Sequence, residues 1–379
     1  MTLIGSQNMK KAIFMIGILL LGMALFAQQI SHETIVVNIE VPVRVFERGK
    51  FVENLTIDDF EVYEDGDLQD VVAVYLIKKT KIEREDTKID REEARQKFAP
   101  EVSRNFVLLF EIREYLPKIG EAIDYFFDKV IVPEDTLKVL TPLKTYEFKK
   151  DSFEKLPKQE IANNLKKKLR KDTRIANAEY WSLYRDLLDP MFREVIDEII
   201  RKLKNLVYFD EKKLLNFADY LKNMEGQKNI FLFYQIESIP IPKDSPDILS
   251  YMKDITFDVK KVEQAFSDSS ISCHFIYITK TSDYTQDITY RGASNMQMLD
   301  QSHEIFSAFR EMSIATGGTM DSSANVAASF EKVVEASENY YLLYYSPKNY
   351  KADGKFRNIK VTVKGKNYRI THRAGYLAN

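Results

Sequence analysis

The chain holds one cysteine, four histidines and a formal net charge of only -2 in 379 residues. Each scarcity excludes something. A lone cysteine, Cys273, means that the chain folds without an intramolecular disulfide. In "ISCHFIYI" it reads as a small buried hydrophobe. His274, its chain neighbour, would point to the opposite face of a strand, which argues against a thiolate and imidazole pair. His32, His274, His303 and His372 lie in separate segments without metal-ligand spacing, and no Ser/His/Asp, zinc or phosphate-loop spacing is present. The near-zero net charge supplies no global basic field, so nucleic acid is not the expected partner.

Long apolar runs are scarce too. The run at residues 12–26 follows Lys10 and Lys11 and precedes Ala27. It falls short of the roughly 20 apolar residues of a spanning helix, and no basic flank follows it. This is the layout of a secretory signal peptide occupying residues 1–27. The expectation is an exported protein, periplasmic or secreted, with no membrane span after cleavage.

What the chain does have is 45% apolar and 12% aromatic residues, enough for one large core or two modest ones. Residues 28–80 read as a β module. Strand-like alternation covers 35–46, a turn falls at 47–50, and "FEVYEDGDLQDVVAVYLI" reads as two strands around Glu64, Asp65 and Gly66. That acidic turn lacks the spaced oxygen ligands of a calcium loop, and Asp-Gly suits a hairpin. Residues 81–102 are densely charged with almost no apolar periodicity, which predicts a solvated linker or exposed helix at a domain boundary.

From 103 to 335 the pattern alternates. Strands are predicted at 106–110, 136–140, 229–234 and 271–278, and helices at 118–130, 212–224, 258–267 and 303–316. Such alternation predicts the α/β class, a mostly parallel sheet with helices on both sides. Residues 151–207 interrupt it with long charged helices. In the second of these, Phe192, Val195, Ile196, Ile199, Ile200, Leu203 and Leu206 recur at helical spacing, so one face is buried. The basic run at 166–171 could hold a polyanion but reads as a solvated helix face. "IATGGTMDSS" follows a helix, which makes it a C-cap and turn rather than a phosphate cradle. Residues 336–379 return to β structure, with a strand at 340–345, a turn at Asp353 and Gly354, and a strand pair at 359–363 and 368–372. These are too few strands for a core of their own, so they are expected to join the amino-terminal strands in one sandwich.

The blocks "VPVRVFERGKFVENLTIDDFEVYEDGDLQ", "NFVLLFEI", "GQKNIFLFY", "ATGG", "YYLLYYSPKNYKADGKFRNIKVTVK" and "RAGY" occur in this order. Together they resemble the von Willebrand factor A-related proteins of the acidobacterial type. The resemblance implies a Rossmann-like A domain within an exported bacterial protein of adhesion or protein-protein interaction. It also implies where a metal-ion-dependent adhesion site would lie: Asp-x-Ser-x-Ser after the first strand, a Thr from a second loop and an Asp after the fourth strand. Those positions hold Glu111, Arg113 and Tyr115 and fall near Gln235, while no residue of the insertion is assigned to the Thr.

Magnesium demands compact oxygen ligation, whereas Arg113 brings a fixed positive charge and Tyr115 a bulky ring. The metal site is therefore read as lost and no cofactor is expected. Glu111, Glu114 and Glu237 keep acidic oxygen near the apex, so a divalent cation, Mg or Ca, is the alternative. A carboxylate paired with Arg113 would instead neutralise the apex internally. The expected function is non-catalytic binding of another protein, in the envelope or outside the cell, through an apical surface of Glu111, Arg113, Glu114, Tyr115, Gln235 and Glu237. The alternatives are a structural or assembly subunit of a cell-envelope complex and, third, a hydrolase using two apical carboxylates.

Overall fold

Six strands open the fold: β1 (Ile39–Glu47), β2 (Lys50–Phe51), β3 (Phe60–Glu64), β4 (Asp67–Gln69), β5 (Val71–Lys78) and β6 (Lys81–Thr87). The computed structural model describes residues 37–88, 100–206, 211–236, 238–242, 258–281, 283, 296–300, 302–365 and 367–379. The expected leader, residues 1–27, and residues 89–99 of the charged stretch lie outside the described residues. Two tight turns set the local register. Arg48 and Gly49 have φ of 50° and 83°, and Asp65 and Gly66 have 48° and 98°, the left-handed pairs of primed hairpin turns. The segment after Asp65 forms two strands, β4 and β5, one more than the sequence suggested. A second difference is β6, which stands where a linker or exposed helix was expected and pairs antiparallel with β5. It is an edge strand, and its run of charges keeps a further strand from adding to it. Edge protection and linker solvation leave the same signature in sequence.

The middle of the chain supplies β7 (Arg104–Glu111), α1 (Pro117–Tyr125), β8 (Thr136–Leu140), β9 (Thr145–Phe148), α2 (Lys150–Lys155), α3 (Lys158–Leu188), α4 (Ile196–Asn205), α5 (Glu211–Lys222), β10 (Gln227–Gln235), β11 (Ser238–Pro242), α6 (Val259–Asp268), β12 (Ile271–Ile278), β13 (Met296–Asp300), α7 (Ser302–Ala315), β14 (Met320–Ser323) and α8 (Val326–Glu338). The chain is of the α/β class. The main sheet runs β14-β12-β10-β7-β8-β9, parallel except for β9, which is antiparallel to β8. Every residue of β7 is buried, so its alternation serves two cores. Phe106, Leu108 and Phe110 meet α1, the first turns of α3, and α8; Val107 and Leu109 meet α5, α6 and α7.

The insertion packs as part of this body. Ile161, Ala162, Leu165 and Leu169 of α3 cover the sheet, while farther along Tyr180, Trp181, Tyr184 and Leu187 pack against Ile199, Ile200 and Leu203 of α4. Of the face expected on the second helix, Val195 is 43% exposed, because residues 190–195 form a tighter 3-10 turn that breaks the α spacing. Asp172 anchors the middle of α3: its Oδ2 accepts from Thr141 Oγ1 and Tyr146 Oη, both at 2.8 Å. Burial and this carboxylate push the Tyr146 hydroxyl up to about 12. No helix among the described residues is long and apolar enough to cross a membrane.

The chain closes with β15 (Asn339–Tyr345), β16 (Phe356–Val363), β17 (Arg369–His372) and β18 (Gly375–Leu377). They interleave with the first strands: β15 lies between β1 and β5, β17 pairs with β1, and β16 pairs with β3. The two chain ends thus build two antiparallel sheets together, in the orders β17-β1-β15-β5-β6 and β18-β16-β3-β4. The expected pairing of 359–363 with 368–372 does not occur, since β16 and β17 join different sheets. In β16, Ile359, Val361 and Val363 are buried and alternate with more exposed residues, which places one face of the strand on the core beside β3. Tyr341 of β15 fixes the connection between β2 and β3 by accepting from Leu55 N at 3.1 Å and donating to Val52 O at 2.9 Å.

These sheets join the α/β part at the amino-terminal ends of its parallel strands. "ATGG" is the corner, and it is a helix C-cap as expected: α7 ends at Ala315, Gly317 has φ 68°, and Gly318 N donates to Ser313 O at 2.8 Å. Arg44 of β1 donates to Gly317 O at 2.9 Å, and Ala374 N donates to Ala315 O at 2.6 Å. Arg373 donates to Ser270 Oγ and to Glu40 O, both at 2.6 Å. Residues Asn38–Asn379 accordingly form one compact unit. Gly318 has no room for a side chain, because a Cβ there would stand 1.9 Å from Cys273 O. Gly318→Ala should lower stability by about 1–3 kcal/mol in denaturant titration; an unchanged midpoint would contradict this packing.

His274 lies at the same corner, fully buried. Its Nδ1 accepts from Thr319 N at 3.2 Å and its Nε2 faces Asn229 Oδ1 at 3.3 Å, so the neutral Nε2-H form fits. Burial, aided by Arg44, holds its pKa well below the usual imidazole range. The unfolded chain takes up this proton near pH 6.5 and the folded chain only far lower, so stability is full above about pH 6.5 and declines below it. Glu40 and Glu338 act in the opposite sense, since burial raises both carboxyls. His274→Gln should therefore flatten the decline relative to the parent between about pH 6.5 and 5, measured by urea titration. An identical pH slope in both proteins would contradict the assignment.

Candidate functional site

The strand order locates the site. From β7 the chain moves first to β8 on one side and later to β10 on the other, so the crevice outside the carboxyl ends of β7 and β10 is the topological switch point, where open α/β sheets bind ligands. The residues that reach it are those at the end of β7, Glu111 to Tyr115, and Gln235 at the end of β10. The structure brings five of the six candidate residues to this crevice; Glu237 lies outside the described residues.

Gln235 is 2% exposed and bridges three segments. Its Oε1 accepts from Arg113 N at 3.0 Å and Glu114 N at 2.9 Å, while its Nε2 donates to Lys280 O at 3.0 Å. A carboxylate could accept from both amides but could not donate to the carbonyl. The amide therefore suits a closed crevice better than the Asp of a metal site would.

Glu111 and Arg113 are 5% and 7% exposed, and Arg113 Nη1 stands 3.7 Å from Glu111 Oε1. The guanidinium carbon lies 4.2 Å from the centre of the Tyr180 ring. Two opposite charges and an aromatic face thus share a space largely closed to water, an arrangement that suits the planar, permanently charged arginine. Tyr180 belongs to the insertion, and it packs edge-on against Trp181 with ring centres 5.3 Å apart. The long helix therefore covers the crevice.

Tyr115 is half-buried, with the Arg170 guanidinium 4.8 Å from its ring centre, and burial raises its hydroxyl pKa. Its hydroxyl occupies the space over Gly120, where a Cβ would come within 2.7 Å of it. Glu114 is half-buried and its Oε2 accepts from Asp283 N at 3.1 Å. Among the described residues, no three or more His, Cys, Asp or Glu side chains are grouped so as to hold a metal ion. Cys273, outside the crevice, is buried and its thiol is pushed up to about 12, the setting of an inert thiol.

Sequence reasoning missed Tyr180 and the Lys280 carbonyl, and it weighed Arg170 only as part of the basic run at 166–171, not as a neighbour of Tyr115. A signal for Tyr180 was present in "EYWSLY", whose Tyr180 and Tyr184 recur at helical spacing in an otherwise charged helix; nothing local pointed to Lys280. Comparison with protein-family models and with curated proteins gave no match.

Gln235→Leu would strand two amides and one carbonyl, each costing about 1–3 kcal/mol when buried without a partner. Amide exchange at Arg113 and Glu114 should accelerate in this variant while the centre of β10 keeps its protection. Unchanged exchange at both amides would refute the bridge.

Proposed function

We propose that this chain is an exported, non-catalytic protein of the von Willebrand factor A type that binds another protein in the cell envelope or outside the cell. On this reading the parallel sheet and its helices are a Rossmann-like A domain carrying a helical insertion. The two antiparallel sheets are a β-sandwich made from both chain ends. The apical surface around Glu111, Arg113, Glu114, Tyr115 and Gln235 is a degenerate metal-ion-dependent adhesion site that works without a cation.

One observation carries the reading. At the switch point a guanidinium faces Glu111 at 3.7 Å, in the place where an adhesion site would hold a divalent cation. Glu111 thus has its counter-charge supplied from within the chain, and Arg113 would repel a second cation at Coulombic range. Recognition would then rest on shape and on the half-buried Glu114 and Tyr115 at the rim. A structural subunit of an envelope complex is the second reading, favoured by apolar side chains on the insertion: Met191 is 80% exposed, and Ile175 and Val195 are exposed as well. Such side chains on a packed element mark contact surfaces when they cluster.

Millimolar magnesium, manganese or calcium should leave the melting temperature of the full chain unchanged. A specific site at a hundredfold excess over its Kd would add about 2.7 kcal/mol of stability, a readily measured shift. Partner capture from envelope fractions should likewise persist in chelator. A cation-dependent shift that Glu111→Gln abolishes would restore metal-dependent adhesion.

A further inference from the structure

The basic run of α3 does not simply face bulk water. It forms one wall of a groove of about 710 Å³ whose other wall is the start of α1, with Tyr115, Pro117 and Gly120. That volume is of the size that takes a small organic ligand. The α3 wall presents Lys167, Arg170, Lys171 and Arg174, which recur at three- and four-residue intervals and so lie on one side of the helix over about 10 Å of its length.

The charge balance of the groove is one-sided. Its two acidic residues are already engaged: Asp124 receives Lys166 Nζ at 2.6 and 2.8 Å, and Glu121 pairs with Lys118 at 2.7 Å. The Arg170 guanidinium carbon lies over the Tyr115 ring, 4.8 Å from its centre. Lys167, Lys171 and Arg174 have no ion-pair partner among the described residues. Four cations at these intervals repel one another along the helix, and that repulsion opposes helix stability. The start of α1 adds to the same field: no side chain caps it, and its dipole presents positive charge there. An anion entering the groove would relieve the repulsion and meet one cation already positioned on an aromatic shelf.

We propose that the groove between α1 and α3 binds a small polyanion carrying two or more phosphate or carboxylate groups, held by Lys167, Arg170, Lys171 and Arg174. The spread of the cations matches charged groups several ångströms apart better than it matches a single-charge ligand. Arg170 supplies a planar fork for two oxygens, the lysines supply point charges, and Tyr115 and Pro117 offer an apolar floor. The site shares Tyr115 with the proposed apical surface, but its four cations lie outside that surface and its binding does not require the protein partner.

The test is isothermal titration of the full chain with tripolyphosphate and, separately, with citrate. One-to-one binding of either, weakening as NaCl rises from about 50 to about 300 mM, is expected. Tighter binding of tripolyphosphate identifies a phosphate ligand and tighter binding of citrate a carboxylate one. The combined variant Lys167→Gln, Lys171→Gln and Arg174→Gln should bind at least about tenfold more weakly. It should also melt no lower than the parent, because it removes like-charge repulsion. The control Lys212→Gln, Lys260→Gln and Lys360→Gln removes as much charge from exposed positions elsewhere and should bind as the parent does. Lys171→Gln alone replaces the combined variant if that protein has an altered circular dichroism spectrum. Absence of binding by both small anions, an equal loss in the control, or binding confined to an oligonucleotide or polyaspartate would each overturn the proposal.

Discussion

A guanidinium taken out of water must find acceptors or a counter-charge, and among the described residues four are buried at the two ends of the parallel sheet. Arg44, Arg104 and Arg373 lie at the amino-terminal ends of the strands, and Arg113 lies at the carboxyl ends. Arg104 makes a two-pronged contact with Asp135 at 3.0 and 2.7 Å. Arg44 and Arg373 donate mainly to backbone carbonyls and a hydroxyl from elements far apart in sequence, among them Gly317, Glu40 and Ser270, while Arg373 Nε has no acceptor among the described residues. Burial brings Arg44 down to about 10, still charged at neutral pH. Because the guanidinium fork is rigid, those carbonyls must be correctly placed, which fixes the antiparallel sheets on the helix ends of the α/β part. The close approach of Gly318 to Cys273 belongs to the same requirement.

At the opposite end the same constraint shapes the crevice. Arg113 needs a counter-charge and a surface, and it finds them in Glu111 and in Tyr180 of the insertion. The insertion is thus tied to the crevice of the sheet it interrupts. Its helix α3 has three tasks along its length: aliphatic residues near its start fill the sheet core, a basic stripe lines the groove beside α1, and an aromatic patch covers Arg113. Asp172, fixed by Thr141 and Tyr146, holds the middle of that helix in register with the sheet edge.

How much of this was legible follows from how local each signal is. The strand Ile271–Ile278 is readable to the residue because it is buried almost along its whole length, and Thr136–Leu140 because its buried Leu137 and Val139 alternate with half-buried residues. The strand at Thr145–Phe148 was missed: it is short and half exposed at an edge, so its sequence has little contrast. Helix Val326–Glu338 escaped because its buried positions include small polar residues, Ser329 and Ser337, that blur the apolar stripe. Lys81–Thr87 was misread since charge on an edge strand looks like a linker. The candidate site residues at Glu111, Arg113 and Gln235 could be placed from the strand ends. Their partners could not, because Tyr180 lies 67 positions beyond Arg113 in sequence and Lys280 contributes only a carbonyl.

On the proposed reading, the Arg113 guanidinium takes the place that a divalent cation would hold in an adhesion site. Diffraction from crystals grown in manganese, at a wavelength where manganese scatters anomalously, tests it most directly. No anomalous peak is expected at the carboxyl ends of β7 and β10, and the Arg113 guanidinium should lie between Glu111 and Tyr180. A manganese peak coordinated by Glu111, with Arg113 turned out of the crevice, would contradict it.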